Sequence, residues 1–520
     1  MLLFDLLRED ARRFPDKPAA VFAGAKASDD RITFAELDRR SDQVANRLRA
    51  RGIGPGDRVA ILHDNSMAGL CWFWGILKAG AQTVDVPTLA GRPTIQGVLD
   101  EARPRAIAVD PKEIGKHIGS DASLRLPPLV LGTEATRDAA APHGVTVETL
   151  EDICSNEAAE PFTSGAHADD VAMIVYTSGT TGRPNGVMLS HTNFVANLTA
   201  ANELMGLGSD DSILVVVPLY YIHGRMQLLY HTLIGGTVFF SGGFQFPAKV
   251  LTELETFGTT GFSGVPYHFK QLLDRSKLAS KPPSRLRYVL ITGGALPQPE
   301  LCRLRDALPN AGIHLAYGQT EAAPRITWIG PDELFVKEGS VGRALPNVVL
   351  EILGPDERPV GPGTVGEVAA SGPNIMKGYV AGDERELGKI DDAGRLRTGD
   401  LGRLDDEGHL YLVGRSSEMI KSAGERIFPQ EIEEVICTHP RVQEVAVIGV
   451  PDPLLGEKVV AYLELSPGDP VDLAEFRAHC LQSLPFVRVP KVFEVVDELP
   501  KTGSGKVSRG ALKKQVLGGS

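Results

Sequence analysis

Between residues 33 and 52 the chain repeats apolar positions at helical spacing, with Leu37, Val44 and Leu48 on one face. Thr33 can cap the start and Gly52 end the segment, so an amphipathic helix is predicted. GDRVAILHDN (56–65), the aromatic-rich apolar stretch through Lys78, and AGAQTV (79–84) before the Pro87 turn then read as strand, helix, strand. Short apolar runs recur at VAMIVY (171–176), ILVVVP (213–218), GTVFF (236–240), GFSGV (261–265) and YVLITGG (288–294), with helical segments between several of them. Continuous apolar runs of this length, lacking alternation, are the mark of strands buried on both faces, and hence of an α/β fold.

The texture changes twice. From about residue 340, short strands punctuated by Gly, Pro and Asp, as in VVLEILGPDERPVGPGTVGEVAASG (348–372), predict a β-rich subdomain. After Gly414 the order becomes helix (429–439), two strands (444–451 and 458–465), helix (473–484) and strand (491–499), a unit large enough for its own core. The boundary is placed at Gly414 to Ser417, giving domains 1–414 and 415–520.

Charge narrows the partners. The net charge is -12, and no Lys/Arg block is present of the kind that neutralises a phosphate backbone, so nucleic acid is not an expected partner. Cys71, Cys154, Cys302, Cys437 and Cys480 lie far apart, which argues against a zinc site or disulfide framework and for reduced thiols of a cytoplasmic protein. Asp5, Arg8, Glu9 and Asp10 interrupt any signal-like apolar stretch. The apolar run from Ile213 to Ile222 contains Pro218 and falls well short of the roughly 20 residues a membrane span needs.

Two glycine-rich loops carry candidate chemistry. YTSGTTGRPNGV (176–187) follows a strand and precedes a helix starting near Ser190. Its glycines and hydroxyls offer the close backbone approach and short donors that cradle a phosphate, though such loops are also common as plain polar turns. PKTGSGKVSRG (500–510) fails as a nucleotide P-loop, because Pro500 stands where the first Gly belongs and Val507 follows the Lys. What remains there is Lys506 on a Gly-rich loop, suited to neutralising charge in a transition state, with a solvated surface Lys as the plain alternative.

With ITGGALP (291–297), YGQTE (317–321), TGDLG (398–402) and GRSSEMIKSAGERIFPQEIE (414–433), the two loops make six motifs in order. Over nearly its whole length the chain thereby resembles the adenylate-forming superfamily of acyl-CoA synthetases, firefly luciferase and nonribosomal peptide synthetase adenylation domains. The resemblance implies a large N-terminal domain of two sheet-bearing subdomains plus the β-rich one, and a small mobile C-terminal α+β domain. It implies ATP and Mg²⁺ as cofactors, a small-molecule carboxylic acid as substrate, and a thiol acceptor, either coenzyme A or the phosphopantetheine arm of an acyl carrier protein. Alternatives are transfer to a nitrogen nucleophile and a non-catalytic ligand sensor.

Carried over position by position, Thr177, Ser178, Gly179, Thr180, Thr181 and Gly182 would hold the β and γ phosphates. Gly294 and Ala295 would line the adenine, Tyr317 would stack on it with Gly318 among the nucleotide-binding positions, Asp400 would accept the ribose hydroxyls, and Arg415 would reinforce ribose and phosphate. Thr320 would touch a phosphate oxygen and Glu321 would hold Mg²⁺. Lys506 would bridge the acid carboxylate and the α-phosphate, and rotation about Ser417 would exchange it for the face bearing Lys421. The acid pocket falls to PLYYIHGRMQLLYH (218–231) and GFSGVP (261–266), with His223, Arg225 and Gly264 as candidates; no Asp is present in the first segment to pair an α-ammonium, so an aryl or acyl acid is expected. Two departures stand out. Asn185 replaces a usual Lys, expected to weaken triphosphate binding by about 1 to 3 kcal/mol with Arg183 a partial substitute, and Ser417 replaces a usual Asp or Lys.

Overall fold

The computed structural model describes residues 1–23, 30–117, 124–178, 184–382, 389–422, 424–466, 472–501 and 507–518. Among them the chain builds four sheets of nine, eight, four and five strands. In the nine-stranded sheet six neighbours run parallel, in the order Pro18–Phe22, Thr237–Phe240, Ser212–Val215, Gly261–Gly264, Tyr288–Thr292 and Gly312–Tyr317. The chain enters this sheet's middle at Ser212–Val215, moves to one side for Thr237–Phe240 and then to the other for Gly261–Gly264. That reversal opens a crevice at the strands' carboxyl ends, where α/β sheets bind ligands.

The eight-stranded sheet is also mainly parallel, with Arg58–Leu62 flanked by Gln82–Asp85 and Ala106–Val109. Toward one side of it Val171–Ser178 is paired antiparallel by Pro184–Ser190, which leads directly into the helix His191–Met205. One continuous core fills the space between these two sheets and includes Trp72, Trp74, Phe194 and Leu229. The predicted helix after Thr33 is Phe34–Ala50, and the Thr33 hydroxyl accepts from the Glu36 N–H at 3.2 Å. It packs so closely on Met67–Lys78 that a Cβ on Gly75 would lie 2.3 Å from Val44.

The β-rich region is a four-stranded antiparallel sheet that ends with Leu410–Arg415. A short turn, Ser416–Glu418, leads to the five-stranded sheet beginning at Ile420, the core of a C-terminal lobe. Along Val442–Asp452, alternate residues serve two clusters on opposite faces, Val445 and Val447 in one, Ala446 and Ile448 in the other. This period of two explains why that segment is a strand covered by helices on both sides. Among the described residues no helix is long and apolar enough to cross a membrane.

Candidate active site

The carboxyl edge of the nine-stranded sheet gathers predicted residues from distant segments. Gly264 ends one strand beside Ile291, and Thr292 ends the next beside Ala316, so Gly294, Ala295, Tyr317 and Gly318 emerge side by side. Gly318 has no substitute there, because a Cβ would fall 2.0 Å from the Pro324 carbonyl oxygen. Gly294 and Ala295 are exposed on the rim, with the Pro266 ring close by.

The β-rich sheet meets this edge through Asp400. The Tyr317 hydroxyl donates to Asp400 Oδ2 at 2.7 Å, and Arg415 Nε lies 3.0 Å from Oδ1. Asp400 and Arg415 face each other in strand register, and the Thr398 hydroxyl accepts the Asp400 N–H at 3.0 Å. Burial and the adjacent Asp400 push the Tyr317 phenol well above its ordinary range, so it stays a neutral donor with its ring fixed. Burial opposes the Arg415 charge, but Asp400, Glu418, Tyr317 and Glu321 together outweigh it. Each carboxylate oxygen has two acceptor sites, so Asp400 keeps capacity for a ribose diol after serving Tyr317 and Arg415.

Thr320 and Glu321 lie on the 3₁₀ turn Thr320–Ala322 just beyond the same strand. Glu321 is 9 % exposed, and its Oε1 accepts from the Tyr379 hydroxyl at 2.7 Å. Two buried amides pin the backbone of this turn and the residues after it. Asn197 donates to the carbonyls of Ala322 and Arg325 at 3.3 and 2.9 Å, and Asn374 donates to the same two at 3.1 and 3.0 Å. One turn earlier on its helix, Asn193 holds the carbonyls of Pro373 and Ile375, both at 2.8 Å, which fixes the loop carrying Asn374.

Among the described residues no cluster of three His, Cys, Asp or Glu side chains forms a metal cage. Mg²⁺ held on a triphosphate needs only one or two protein carboxylates beside phosphate oxygens and water, and a single oriented Glu321 fits that requirement. Thr177 and Ser178 end their strand opposite Asn185 and Pro184. Gly179, Thr180, Thr181, Gly182, Arg183 and Lys506 lie outside the described residues.

The acid-pocket candidates separate. His223, half-buried at the start of the helix Ile222–Ile234, has its Nε2 2.8 Å from the Ser263 hydroxyl, one residue before Gly264. Arg225 turns away. It is 3 % exposed, pairs with buried Asp85 at 2.8 Å, and lies over the Phe73 ring at 3.9 Å. Its guanidinium therefore serves the junction between the two large sheets rather than the site edge, where the sequence predicts substrate contact. Lys421 stands apart too, exposed on the C-terminal sheet opposite Arg426.

Sequence reasoning misses Tyr379, Ser263, the three asparagines and Asn65. Asn65 donates to the Val217 carbonyl at 3.1 Å and accepts from the Leu219 N–H at 2.8 Å, tying the second sheet to the loop before His223. Each is a lone polar residue whose partner lies tens to hundreds of positions away, so no local spacing marks it.

A model of the AMP-binding enzyme matches residues 7–380, and one of the AMP-binding enzyme C-terminal domain matches 431–506. A feruloyl-CoA synthase of Amycolatopsis sp is 34% identical over 485 residues, covering 93% of this chain and 94% of that protein. The ATP-bound MatB structure from Rhodopseudomonas palustris superposes with a TM-score of 0.86 at 29% identity, covering 99% of both chains. The o-succinylbenzoate CoA synthetase of Bacillus subtilis in complex with its acyl-adenylate intermediate superposes with a TM-score of 0.82 at 28% identity, over 98% of this chain and 97% of that one; the same enzyme is also solved with ATP and magnesium ion. With matches spanning both lobes and the nucleotide-site candidates gathered at one sheet edge, the chain belongs to the family of AMP-binding enzymes.

Proposed function

We propose that this ATP-dependent acyl-adenylate-forming ligase activates an aryl carboxylic acid and delivers the acyl group to coenzyme A. The observation that carries the acid's class is the His223–Ser263 pair, 2.8 Å apart beside Gly264, in a segment (218–231) without Asp or Glu. It offers hydrogen bonds to a neutral or anionic polar group and no partner for an ammonium. The feruloyl-CoA and o-succinylbenzoate relatives support the aryl reading and the coenzyme A acceptor.

In the first step the acid's carboxylate oxygen attacks the α-phosphorus and pyrophosphate leaves. In the second, the thiolate sulfur attacks the acyl carbonyl and AMP leaves. Asp400 and Arg415 hold the ribose, Tyr317 covers the base, and the Thr177–Gly182 loop grips the outer phosphates. Glu321 would hold Mg²⁺, which would supply positive charge against the phosphates. Lys506 spans the acid carboxylate and α-phosphate in the first step, and the C-terminal domain 415–520 turns on Ser417 to present Lys421 for the second.

Incubation with ATP, Mg²⁺, coenzyme A and a panel of ferulate, 2-succinylbenzoate, malonate and octanoate tests this. The aryl acids should give equimolar AMP, pyrophosphate and CoA thioester. ATP consumption that ignores coenzyme A, or preference for octanoate over both aryl acids, contradicts it.

A further inference from the structure

One place where the lobe that carries Lys506 touches the large lobe, apart from the packing of the helix Pro429–Cys437 on Leu410–Arg415, is a single helix of the large lobe. In Pro266–Arg275, which starts directly after the site-edge strand bearing Gly264, Tyr267 and Lys270 lie one turn apart and share a face. The Lys270 ammonium donates to the Gln443 carbonyl of the C-terminal lobe. Lys501 Nζ of the same lobe stands 5.5 Å from the Tyr267 ring centroid and 2.7 Å from Glu444, the residue after Gln443.

Lys501 is also the near end of the Lys506 loop. It bridges Val507 in antiparallel fashion, and the Ser508 N–H donates to the Pro500 carbonyl at 2.7 Å, which closes the loop at its base. Leu499 and Leu512, buried with Ile448 and Tyr462, fasten that base to the lobe's core. On the other side, Tyr267 meets Phe244 and His268 edge-on at 6.3 and 6.0 Å, so its ring is supported within the large lobe. Pro266 meanwhile abuts Gly294. One helical turn thus links the nucleotide edge to the base of the lysine loop.

We propose that Tyr267 and Lys270 are positioning residues, a two-point latch that holds the C-terminal lobe in the orientation from which Lys506 serves adenylation. Released, the lobe is freer to adopt the thiolysis orientation. The assignment rests on the two-step reading above. A cation over a half-buried ring is strong enough to bias such an equilibrium and weak enough to be broken once per turnover.

The test measures the two half-reactions separately, using ferulate-dependent ATP–pyrophosphate exchange and thiolysis of supplied feruloyl-AMP by coenzyme A. Tyr267→Ala should slow exchange about tenfold while thiolysis is unchanged or faster, and Lys270→Ala should act in the same sense by a smaller factor. Tyr267→Phe keeps the ring face and should restore exchange, which a lost hydroxyl contact would not allow. Equal loss in both half-reactions, or exchange indifferent to Tyr267→Ala in a protein whose wild type exchanges, overturns the latch. A wild type inert in both half-reactions with every acid of the panel removes the two-step reading, and the latch with it.

Discussion

The large lobe and the C-terminal lobe contribute to one site in opposite ways. In the large lobe the functional groups sit on strand ends or on a turn pinned by buried amides, and Asp400 is locked between Tyr317 and Arg415. The C-terminal lobe has its own cores and leans on its neighbour through half-exposed contacts such as Lys501 on Tyr267. Buried hydrogen-bonded amides and ion pairs rigidify, whereas exposed ion pairs and cation–π contacts contribute about 0 to 1 kcal/mol each and are readily exchanged. The difference teaches a division of labour. On the roles proposed above, the groups that recognise nucleotide are built not to move, and the lobe that would complete the reacting centre is attached by contacts that can exchange.

The sharpest way to break the rigid half is Gly318→Ala. Its Cβ would collide with the Pro324 carbonyl, displacing the turn that carries Thr320 and Glu321. A displacement near 1 Å should cost adenylation about 100-fold, measured by pyrophosphate exchange. Next is the inter-sheet pair. Arg225→Leu leaves Asp85 buried and unpaired and should lower unfolding free energy by about 3 to 5 kcal/mol in denaturant titration, with the acid KM of the surviving folded enzyme unchanged. A raised acid KM with unaltered stability would return Arg225 to the pocket.

His223→Ala should do the reverse, raising the acid KM roughly tenfold while the ATP KM and stability hold, because it removes one pocket hydrogen bond of about 1.4 kcal/mol. The smallest effect is on pH. Burial pushes His191, His231, His268 and His314 down to about 4, so they stay neutral in the fold. The unfolded chain takes up these protons near the ordinary histidine value of about 6.5, and stability is therefore present above that value and lost as pH falls toward 4. Asp10, raised to about 7 by burial, runs against this trend. The thermal midpoint should fall between pH 7 and pH 5; a rise would mean that Asp10 dominates.

How much of the molecule is legible in its sequence depends on range. The Thr33-capped helix and the strand predicted at 444–451 depend on neighbours within a few residues, and both form, the strand as Val442–Asp452. Arg225 is misplaced by sequence reasoning because its partner Asp85 lies 140 positions away on the other sheet. At two residues' spacing, His223 and Arg225 look alike in the sequence, and only the fold sends one to the crevice and the other inside. The asparagine pins are invisible for the same reason, since an isolated Asn in a helix carries no mark of the carbonyls it will meet.

The division of labour between the lobes is tested most directly by Lys506→Ala in the two half-reactions. Pyrophosphate exchange should fall by about 100-fold or more, because one fixed charge at the developing transition state is lost, while thiolysis of supplied feruloyl-AMP stays close to wild type. Equal losses in both would contradict the account, because the lysine would then belong to the fixed half of the site.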